Sequence, residues 1–311
     1  MTISAGKKFR QAVKDALNEA VPLHIVGVAD GSDALEAERA GFKAIYLSGS
    51  QMAAARGWAD IGRLELKHVV EHVQRIMDSG VQLPLLVDID TGFDDVAETV
   101  RIMESLGVAA VHLEDQEDLK ACGHLPGKHV VSQEAAVARV KKAVAAKRDG
   151  DFVLMARTDA LAVEGMEKTL ARIGAYASAG ADAIFAEAFP DVSTYALVKK
   201  AAGGKPVLAN MTEFGKVPLK TPQELYAESS SNVDIVLNPL TVYRAQRQTA
   251  ADMYRKLKEL GTQRGLEKDL QTRENFQSLI DYEGQVADRA RFLEGKNAKD
   301  SSKGNDGAFR R

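Results

Sequence analysis

Eight short apolar segments recur along the chain, and most are nearly continuous in Ile, Val, Leu, Ala and Phe rather than alternating with polar residues. Continuous apolar runs of this length are typical of parallel strands that are buried on both faces of a sheet. The predicted strands are residues 24–29, 44–49, 84–90, 109–115, 152–158, 183–188, 205–211 and 235–239.

Helical segments lie between the predicted strands, and several of them end shortly before a glycine. A glycine just past a helix end, followed by a strand, is the usual αβ connection. Strand and helix alternate eight times, which predicts a (β/α)8 TIM barrel rather than an open doubly wound sheet. No G-x-G-x-x-G follows the first strand, which counts against a dinucleotide-binding fold. The segments with this pattern are residues 32–40, 66–78, 95–106 and 166–179.

The two ends of the chain carry patterns that a barrel alone does not need. Residues 1–20 have helical spacing but lack the hydrophobic core of a signal peptide. Residues 242–260 and 274–292 predict two long additional helices, which serve either as oligomer contacts or as a cover on the barrel. We predict one α/β-barrel domain over residues 1–295 and a disordered tail over residues 296–311, which is rich in Lys, Ser, Asn, Asp and Gly.

Composition narrows the classes of protein. The 311 residues are 45% hydrophobic and 27% charged, as in a globular protein with a large core. The net charge of −3 argues against a nucleic-acid surface, which needs a basic stripe. The single cysteine excludes an intramolecular disulfide and fits a reducing compartment. No apolar run reaches the roughly 18 residues needed to span a bilayer. We therefore expect a cytoplasmic protein that binds neither nucleic acid nor membrane.

Carboxylates stand at the ends of the third and fourth predicted strands. Asp88 and Asp90 are two residues apart and so point to the same side of one strand, and Glu114 ends the next strand. Such a set of hard oxygen ligands suits Mg²⁺, with Mn²⁺ as an alternative ion. In the other interpretation, one aspartate caps a helix and the other pairs with Arg157. The six histidines show no paired ligand spacing, which argues against zinc.

Other polar residues also end predicted strands, where the reacting groups of a TIM barrel lie. Arg157 lies at the end of the fifth strand and is suited to binding a substrate carboxylate bidentately. Glu187 ends the sixth strand, and Asn210 and Thr212 end the seventh.

The only cysteine, Cys122, lies in a loop punctuated by Gly and Pro that spans residues 120–128. Lys120, His124 and Lys128 surround it, and positive neighbours favour a reactive thiolate over an inert buried thiol. The two lysines are also candidates for the Schiff-base residue of a metal-free aldolase, although nothing in the loop sequence indicates that they are desolvated.

Six motifs follow one another in a fixed order: AIYLSG at 44–49, VDIDTGF at 87–93, HLEDQ at 112–116, KACGH at 120–124, MARTDALAVEG at 155–165 and ANMTEFG at 209–215. Through them the chain resembles the isocitrate lyase/phosphoenolpyruvate mutase superfamily over about residues 9–292, and most of all its 2-methylisocitrate lyases. The resemblance implies a Mg²⁺-dependent homotetramer of α/β barrels whose eighth helix is exchanged between subunits.

The resemblance also implies roles for individual residues. The implied metal ligands, two of them acting through water, are Asp88, Asp90 and Glu114. The implied ligands of the pyruvate-like half of the substrate are Ser48, Gly49 and Arg157, and those of its other carboxylates are Glu187, Asn210 and Thr212. Further substrate-binding residues are Ser50, Gly123 and His124. Cys122 is the implied acid, and the base is left open among Tyr46, Asp60 and a metal-bound hydroxide.

The expected reaction is the cleavage of a small di- or tricarboxylate with release of a 2-oxo acid. The first expectation is (2R,3S)-2-methylisocitrate giving pyruvate and succinate, a step of the methylcitrate cycle in propionate catabolism. The alternatives are a lyase of a 2-alkylmalate, of dimethylmalate or of isocitrate. A phosphoenolpyruvate mutase or phosphonopyruvate hydrolase is less favoured because those relatives generally lack the KACGH-type loop. A non-catalytic barrel is the alternative from another class.

Several positions depart from the pattern of 2-methylisocitrate lyases, and several of them flank the inferred pocket. Ala121 stands where a Lys or Arg normally precedes the cysteine, which removes a charge that favours thiolate. The reaction class is therefore more strongly indicated than the substrate. The other departures are Ala29-Asp30-Gly31-Ser32, Ser50-Gln51, Trp58-Ala59, Ala186 and Asn238.

Overall fold

The computed structural model describes residues 3–117, 127–189, 191–215 and 217–304, with side chains described as far as residue 293. Its strands are β1 Leu23–Gly27, β2 Ile45–Leu47, β3 Leu85–Asp88, β4 Ala110–Glu114, β5 Val153–Thr158, β6 Ala183–Ala186, β7 Val207–Asn210 and β8 Ile235–Asn238. Its helices are α1 Ala5–Asn18, α2 Gly31–Arg39, α3 Gly49–Ala55, α4 Leu66–Met77, α5 Val96–Ser105, α6 Gln133–Ala146, α7 Leu161–Glu164, α8 Met166–Ser178, α9 Tyr195–Ala201, α10 Pro222–Glu228, α11 Thr241–Leu260, α12 Arg273–Leu279 and α13 Tyr282–Gly304.

The eight strands form a closed parallel barrel in which each strand pairs with the next and β1 pairs with β8. The predicted (β/α)8 barrel is confirmed. Seven predicted strands contain an observed one, and the first overlaps β1, which starts one residue earlier, at Leu23. The second is shorter than expected, because Gly49 already begins α3. All strands run in one direction, so the polar residues at their carboxyl ends gather at one end of the barrel.

Two apolar clusters build the core. One fills the barrel interior with side chains such as Ile25, Leu86 and Phe185. The other lies between the outer face of the sheet and the helices, and includes Leu47 and Val87. Leu86 and Val87 are neighbours that belong to different clusters, because successive side chains of a strand point to opposite faces. Burial on both faces explains the continuous apolar runs in the sequence.

Helix α1 packs against the interior cluster through Phe9 and Val13. Gly6 permits the close approach, since a Cβ there would lie 2.3 Å from the carbonyl oxygen of Asp151. Arg10 Nε donates to the same carbonyl at 2.8 Å. Because Asp151 lies just before β5, α1 covers the amino-terminal end of the barrel, opposite the end that gathers the polar residues.

The chain divides into two compact units, Met1–Met253 and Tyr254–Arg311, and the first contains all eight strands. The predicted helix 274–292 is two helices, α12 and α13, with Asp281 at a left-handed φ of +50° between them. Helix α13 continues to Gly304, through part of the segment that we expected to be disordered. In the described part of the chain, no helix is both long and apolar enough to cross a membrane.

Candidate active site

Two of the predicted metal ligands pack around Gly49. Asp88 Oδ2 accepts from the Gly49 N–H at 2.9 Å, and Asp88 Oδ1 accepts from the Asp90 N–H at 3.1 Å. A Cβ at residue 49 would lie 2.7 Å from Asp88 Oδ2 and 3.1 Å from Asp90 Oδ1. Only glycine leaves room for both carboxylates here. The Ser48-Gly49 turn between β2 and α3 therefore packs directly against the two aspartate side chains.

The third predicted ligand, Glu114, lies beside Arg157. Glu114 Oε2 is 3.4 Å from Arg157 Nε, and the two residues are register partners in β4 and β5. Asp88, Asp90 and Glu114 are each at most 5% exposed. Among the described residues, no three Asp, Glu, His or Cys side chains are arranged to enclose an ion by themselves. Mg²⁺ needs only one or two carboxylates and keeps several waters, so the aspartate pair around Gly49 fits this ion.

Arg157 is clamped by Asp159. Its Nε donates to Asp159 Oδ2 at 2.9 Å and its Nη2 to Asp159 Oδ1 at 3.2 Å, while its guanidinium carbon lies 5.1 Å from the centre of the Phe185 ring. Burial by itself lowers the pKa of Arg157, but the negative charges of Asp159, Glu187 and Glu114 outweigh it and hold the pKa well above its ordinary value. The guanidinium is thus a permanent positive charge. It pairs with Asp159 and Glu114, whereas the alternative interpretation paired it with one of Asp88 and Asp90.

Tyr46, one of the predicted bases, contacts a histidine that the sequence had not assigned to the site. The Tyr46 hydroxyl lies 2.9 Å from Nε2 of His112, and the two rings stack with their centres 5.7 Å apart. His112 Nε2 is also 3.6 Å from Asp88 Oδ1, and the histidine is fully buried. One signal for His112 was available, because it lies two residues before Glu114 and so points to the same side of β4.

The polar ends of β6 and β7 form a second group. Asn210 Nδ2 lies 3.2 Å from Glu187 Oε2, and Thr212 Oγ1 donates to Asn210 Oδ1 at 3.1 Å. The Tyr195 hydroxyl is buried, and burial together with the negative charge of Glu187 raises its pKa well above the usual value. Glu187, Asn210 and Thr212, which we predicted to bind the substrate's other carboxylates, are therefore connected by hydrogen bonds.

Three of the remaining predicted residues lie in or near α3. Ser48 is buried before α3, Ser50 is half-buried within it, and Asp60 is half-buried in the connection between α3 and α4. Cys122, Gly123 and His124 lie outside the described residues, so their roles stay predictions.

One isolated β-bridge and several hydrogen bonds connect the segments that precede and follow residues 118–126. Gln116 and Val130 form an antiparallel bridge, and the Val131 N–H donates to the Asp115 carbonyl at 2.9 Å. Lys128 follows and donates to Asp159 Oδ1 at 3.3 Å. The Schiff-base alternative at Lys128 stays a hypothesis.

One departure from the 2-methylisocitrate lyase pattern lies directly at this end of the barrel. Asn238 Oδ1 is 2.6 Å from His24 Nε2, and Asn238 Nδ2 donates to the Met211 carbonyl at 3.2 Å. Asn238 thus links the carboxyl end of β8 with the start of β1 and with the residue that follows β7. A second departure, Gln51, is only 2% exposed in α3. Gln51 thus lies next to the carboxyl end of β2, whereas Asn238 is on the same side of β8 as Val236, which packs between the sheet and the helices.

The chain is similar to known proteins in both sequence and fold. Residues 14–256 match the family model described as phosphoenolpyruvate phosphomutase. The chain is 46% identical to the 2-methylisocitrate lyase of Vibrio cholerae, over 91% of this chain and 92% of that protein. The crystal structure of a 2,3-dimethylmalate lyase superimposes with a TM-score of 0.84 at 31% identity, over 94% of this chain and 96% of the other. A phosphonopyruvate hydrolase in complex with oxalate and Mg²⁺ gives a TM-score of 0.79 at 26% identity, over 94% and 100% of the two chains.

Proposed function

The chain belongs to the phosphoenolpyruvate phosphomutase family, within the isocitrate lyase/phosphoenolpyruvate mutase superfamily, and we propose that it is a carbon–carbon lyase that cleaves 2-methylisocitrate to pyruvate and succinate. The observation that carries the proposal is the buried contact of Arg157 with Glu114, next to the aspartate pair around Gly49. This contact supports the proposal, because a guanidinium can bind a substrate carboxylate and the neighbouring carboxylates are of the kind that hold Mg²⁺. The identity to named 2-methylisocitrate lyases supports the substrate.

The chain's own residues have distinct tasks in this reaction. Arg157 binds the carboxylate of the half that leaves as the 2-oxo acid. Glu187, Asn210 and Thr212 hold the other carboxylates. Asp88, Asp90 and Glu114 would hold Mg²⁺, which, when bound, polarises the forming carbonyl as a Lewis acid. Mn²⁺ has the same ligand preference and is the alternative ion.

Cleavage needs one proton removed and one supplied. A base takes the proton of the substrate hydroxyl, the carbon–carbon bond breaks, and its electron pair stays on the departing diacid as a carbanion. We assign Tyr46 or Asp60 as the base, and His112 fixes the hydroxyl of Tyr46. The thiol of Cys122 then donates its proton to the carbanion, which completes succinate.

A panel of substrates tests the proposal. Release of 2-oxo acid is measured from 2-methylisocitrate, 2,3-dimethylmalate, isocitrate and phosphonopyruvate, with and without EDTA, on the wild type and on Cys122→Ser. We expect turnover of 2-methylisocitrate that EDTA and the serine variant each abolish. Turnover that survives both would sink the mechanism.

2,3-Dimethylmalate is the second candidate substrate. A 2,3-dimethylmalate lyase is among the similar structures, and Gln51, which departs from the 2-methylisocitrate lyase pattern, is buried in α3 directly after β2. Activity on this malate alone, lost with Cys122→Ser, would keep the mechanism and change the substrate.

We further propose a homotetramer in which α11 is exchanged between subunits, and a place in propionate catabolism through the methylcitrate cycle. Large apolar side chains exposed near the carboxyl end of the chain support the assembly, since such surface is usually covered. They include Tyr254 at 75%, Phe276 at 44% and Phe292 at 61% exposure. Sedimentation equilibrium tests the tetramer, and a monomer at micromolar concentration would contradict it.

A further inference from the structure

A buried lysine that the proposed chemistry does not use, Lys128, contacts Asp159, which is also the partner of Arg157. The side chain of Lys128 is only 3% exposed, and its Nζ donates to Asp159 Oδ1 at 3.3 Å. Asp159 itself has a fully buried side chain. Burying an ammonium is unfavourable unless it is paired with an acceptor, so a lysine in this place calls for a specific reason.

Asp159 is the shared partner of two cations. Its Oδ2 accepts from Arg157 Nε at 2.9 Å, and its Oδ1 accepts from Arg157 Nη2 at 3.2 Å as well as from Lys128. On its other side, Arg157 Nε is 3.4 Å from Glu114 Oε2. In the part of the chain that the structure describes, Nη1 of Arg157 donates to no protein group, which leaves it for a ligand.

Asp159, Glu114 and Glu187 all act on Arg157 with their negative charges, and Lys128 adds a second positive charge next to Asp159. Without the lysine, Asp159 would lose one of its two cationic partners and would direct its acceptor capacity to Arg157. The guanidinium would then be held away from the site. We propose that Lys128 is a positioning residue. By donating to Asp159, it takes up part of the acceptor capacity of this carboxylate, and so it leaves the guanidinium of Arg157 oriented to bind a substrate carboxylate. This inference rests on the proposed role of Arg157.

Both members of the Lys128–Asp159 pair are fixed to the same frame. The Asp159 N–H donates to Asp115 Oδ1 at 2.9 Å, and the Val131 N–H donates to the Asp115 carbonyl at 2.9 Å. Arg172 Nη2 adds a bond to the Val131 carbonyl at 2.8 Å. Because the backbones at Asp159 and Val131 are held, we expect a lost charge at Lys128 to be relieved by a shift of the Arg157 and Asp159 side chains.

The chain offers a matched control at the opposite end of the barrel. Asp182 is likewise shared by a lysine and an arginine, Lys147 at 2.8 Å and Arg10 at 2.8 Å, and it lies just before β6. Lys147→Met therefore removes a lysine from the same kind of triad without touching the candidate site.

The test measures oxalate binding by calorimetry in the presence of Mg²⁺, together with kcat and KM for 2-methylisocitrate. Oxalate carries the adjacent carboxylate and carbonyl oxygens of a 2-oxo acid. We expect Lys128→Met to weaken oxalate about tenfold and to raise KM more than it lowers kcat, and Lys128→Arg to restore most of the affinity. Lys147→Met should leave oxalate affinity and KM unchanged.

Combining each variant with Arg157→Lys tests whether Lys128 acts through Arg157. There, Lys128→Met is expected to weaken oxalate no further, because the group it positions is gone. Lys128→Gln keeps a donor for Asp159 without the charge, and serves in the same comparison should Lys128→Met fail to fold.

Unchanged oxalate affinity in Lys128→Met, an equal loss in Lys147→Met, or full additivity with Arg157→Lys would each overturn the inference. The proposed function is judged separately. If the wild type binds oxalate but cleaves none of the panel substrates, the proposed reaction fails, and the oxalate affinities alone still decide the role of Lys128.

Discussion

Glu114 and Arg157 stand opposite each other in the register of the parallel strands β4 and β5, and their side chains meet at 3.4 Å. The pair joins a proposed metal ligand to the proposed carboxylate-binding residue. We therefore expect a substitution at either residue to change the position of the other side chain.

Arg157→Lys should impair catalysis much more than stability. A lysine keeps the charge but cannot donate through two nitrogens to Asp159 and still reach a substrate carboxylate. We expect kcat/KM for the cleaved substrate to fall by about 100-fold. Steady-state kinetics measures this, with Arg10→Lys, at the other end of the barrel, as the control. An equal loss in both variants would contradict the assignment.

Gly49→Ala should weaken metal binding. The added Cβ would lie 2.7 Å from Asp88 Oδ2, so the aspartate pair must move apart. We expect the affinity for Mg²⁺, measured by calorimetric titration, to fall at least about tenfold.

Gly174→Ala is the control for that variant, because a Cβ in α8 meets nothing closer than 3.5 Å. The control should bind Mg²⁺ like the wild type. If Gly49→Ala also binds the ion as tightly as the wild type does, the ligands do not lie around Gly49.

Tyr46→Phe distinguishes between the candidate bases. Phenylalanine keeps the stacking with His112 but loses the hydroxyl, so we expect kcat to fall by about 100-fold or more if Tyr46 is the base. Asp60→Asn is made in parallel, and Tyr226→Phe on α10 serves as the control. A large loss in Asp60→Asn with little change in Tyr46→Phe would assign the base to the aspartate.

Asp182 should stabilise the fold in a pH-dependent way. Burial alone raises its pKa, but hydrogen bonds from Lys147 and Arg10 outweigh burial and hold the pKa below the ordinary 3.8. Its contribution to the free energy of unfolding is therefore fully present above pH 3.8 and is lost as the pH falls through the lower folded-state pKa.

Asp182→Asn should accordingly lower the free energy of unfolding by about 2–4 kcal/mol at pH 7. Urea unfolding at a series of pH values should show this difference shrinking in the acid range. The exposed Asp94→Asn variant is the control and should change stability little. A difference that stays constant down to the most acid pH would show that Asp182 does not act through its charge.

Local patterns in the sequence were enough for the fold and for part of the site. Continuous apolar runs reflect burial on both faces of each strand, and a glycine after a helix reflects the turn that follows it, so both signals lie in neighbouring residues. The shared side of Asp88 and Asp90 follows from the two-residue period of a strand in the same way.

Contacts between strands were decided only by the tertiary structure. The pairing of Tyr46 with His112, the closeness of Gly49 to Asp88 and the partnership of Lys128 with Asp159 all join segments far apart in the chain. They depend on barrel register and on the need to pair every buried charge, and neither is encoded in a local pattern.

The sequence by itself thus determined the barrel, the strands that carry the polar residues and the family that the motifs resemble. The tertiary structure decided which of those residues form hydrogen bonds or ion pairs with one another. The physical reason is the difference in range: side-chain direction along a strand is a local property, whereas the balance of buried charges around Arg157 exists only once β3, β4, β5 and β6 have closed into the barrel.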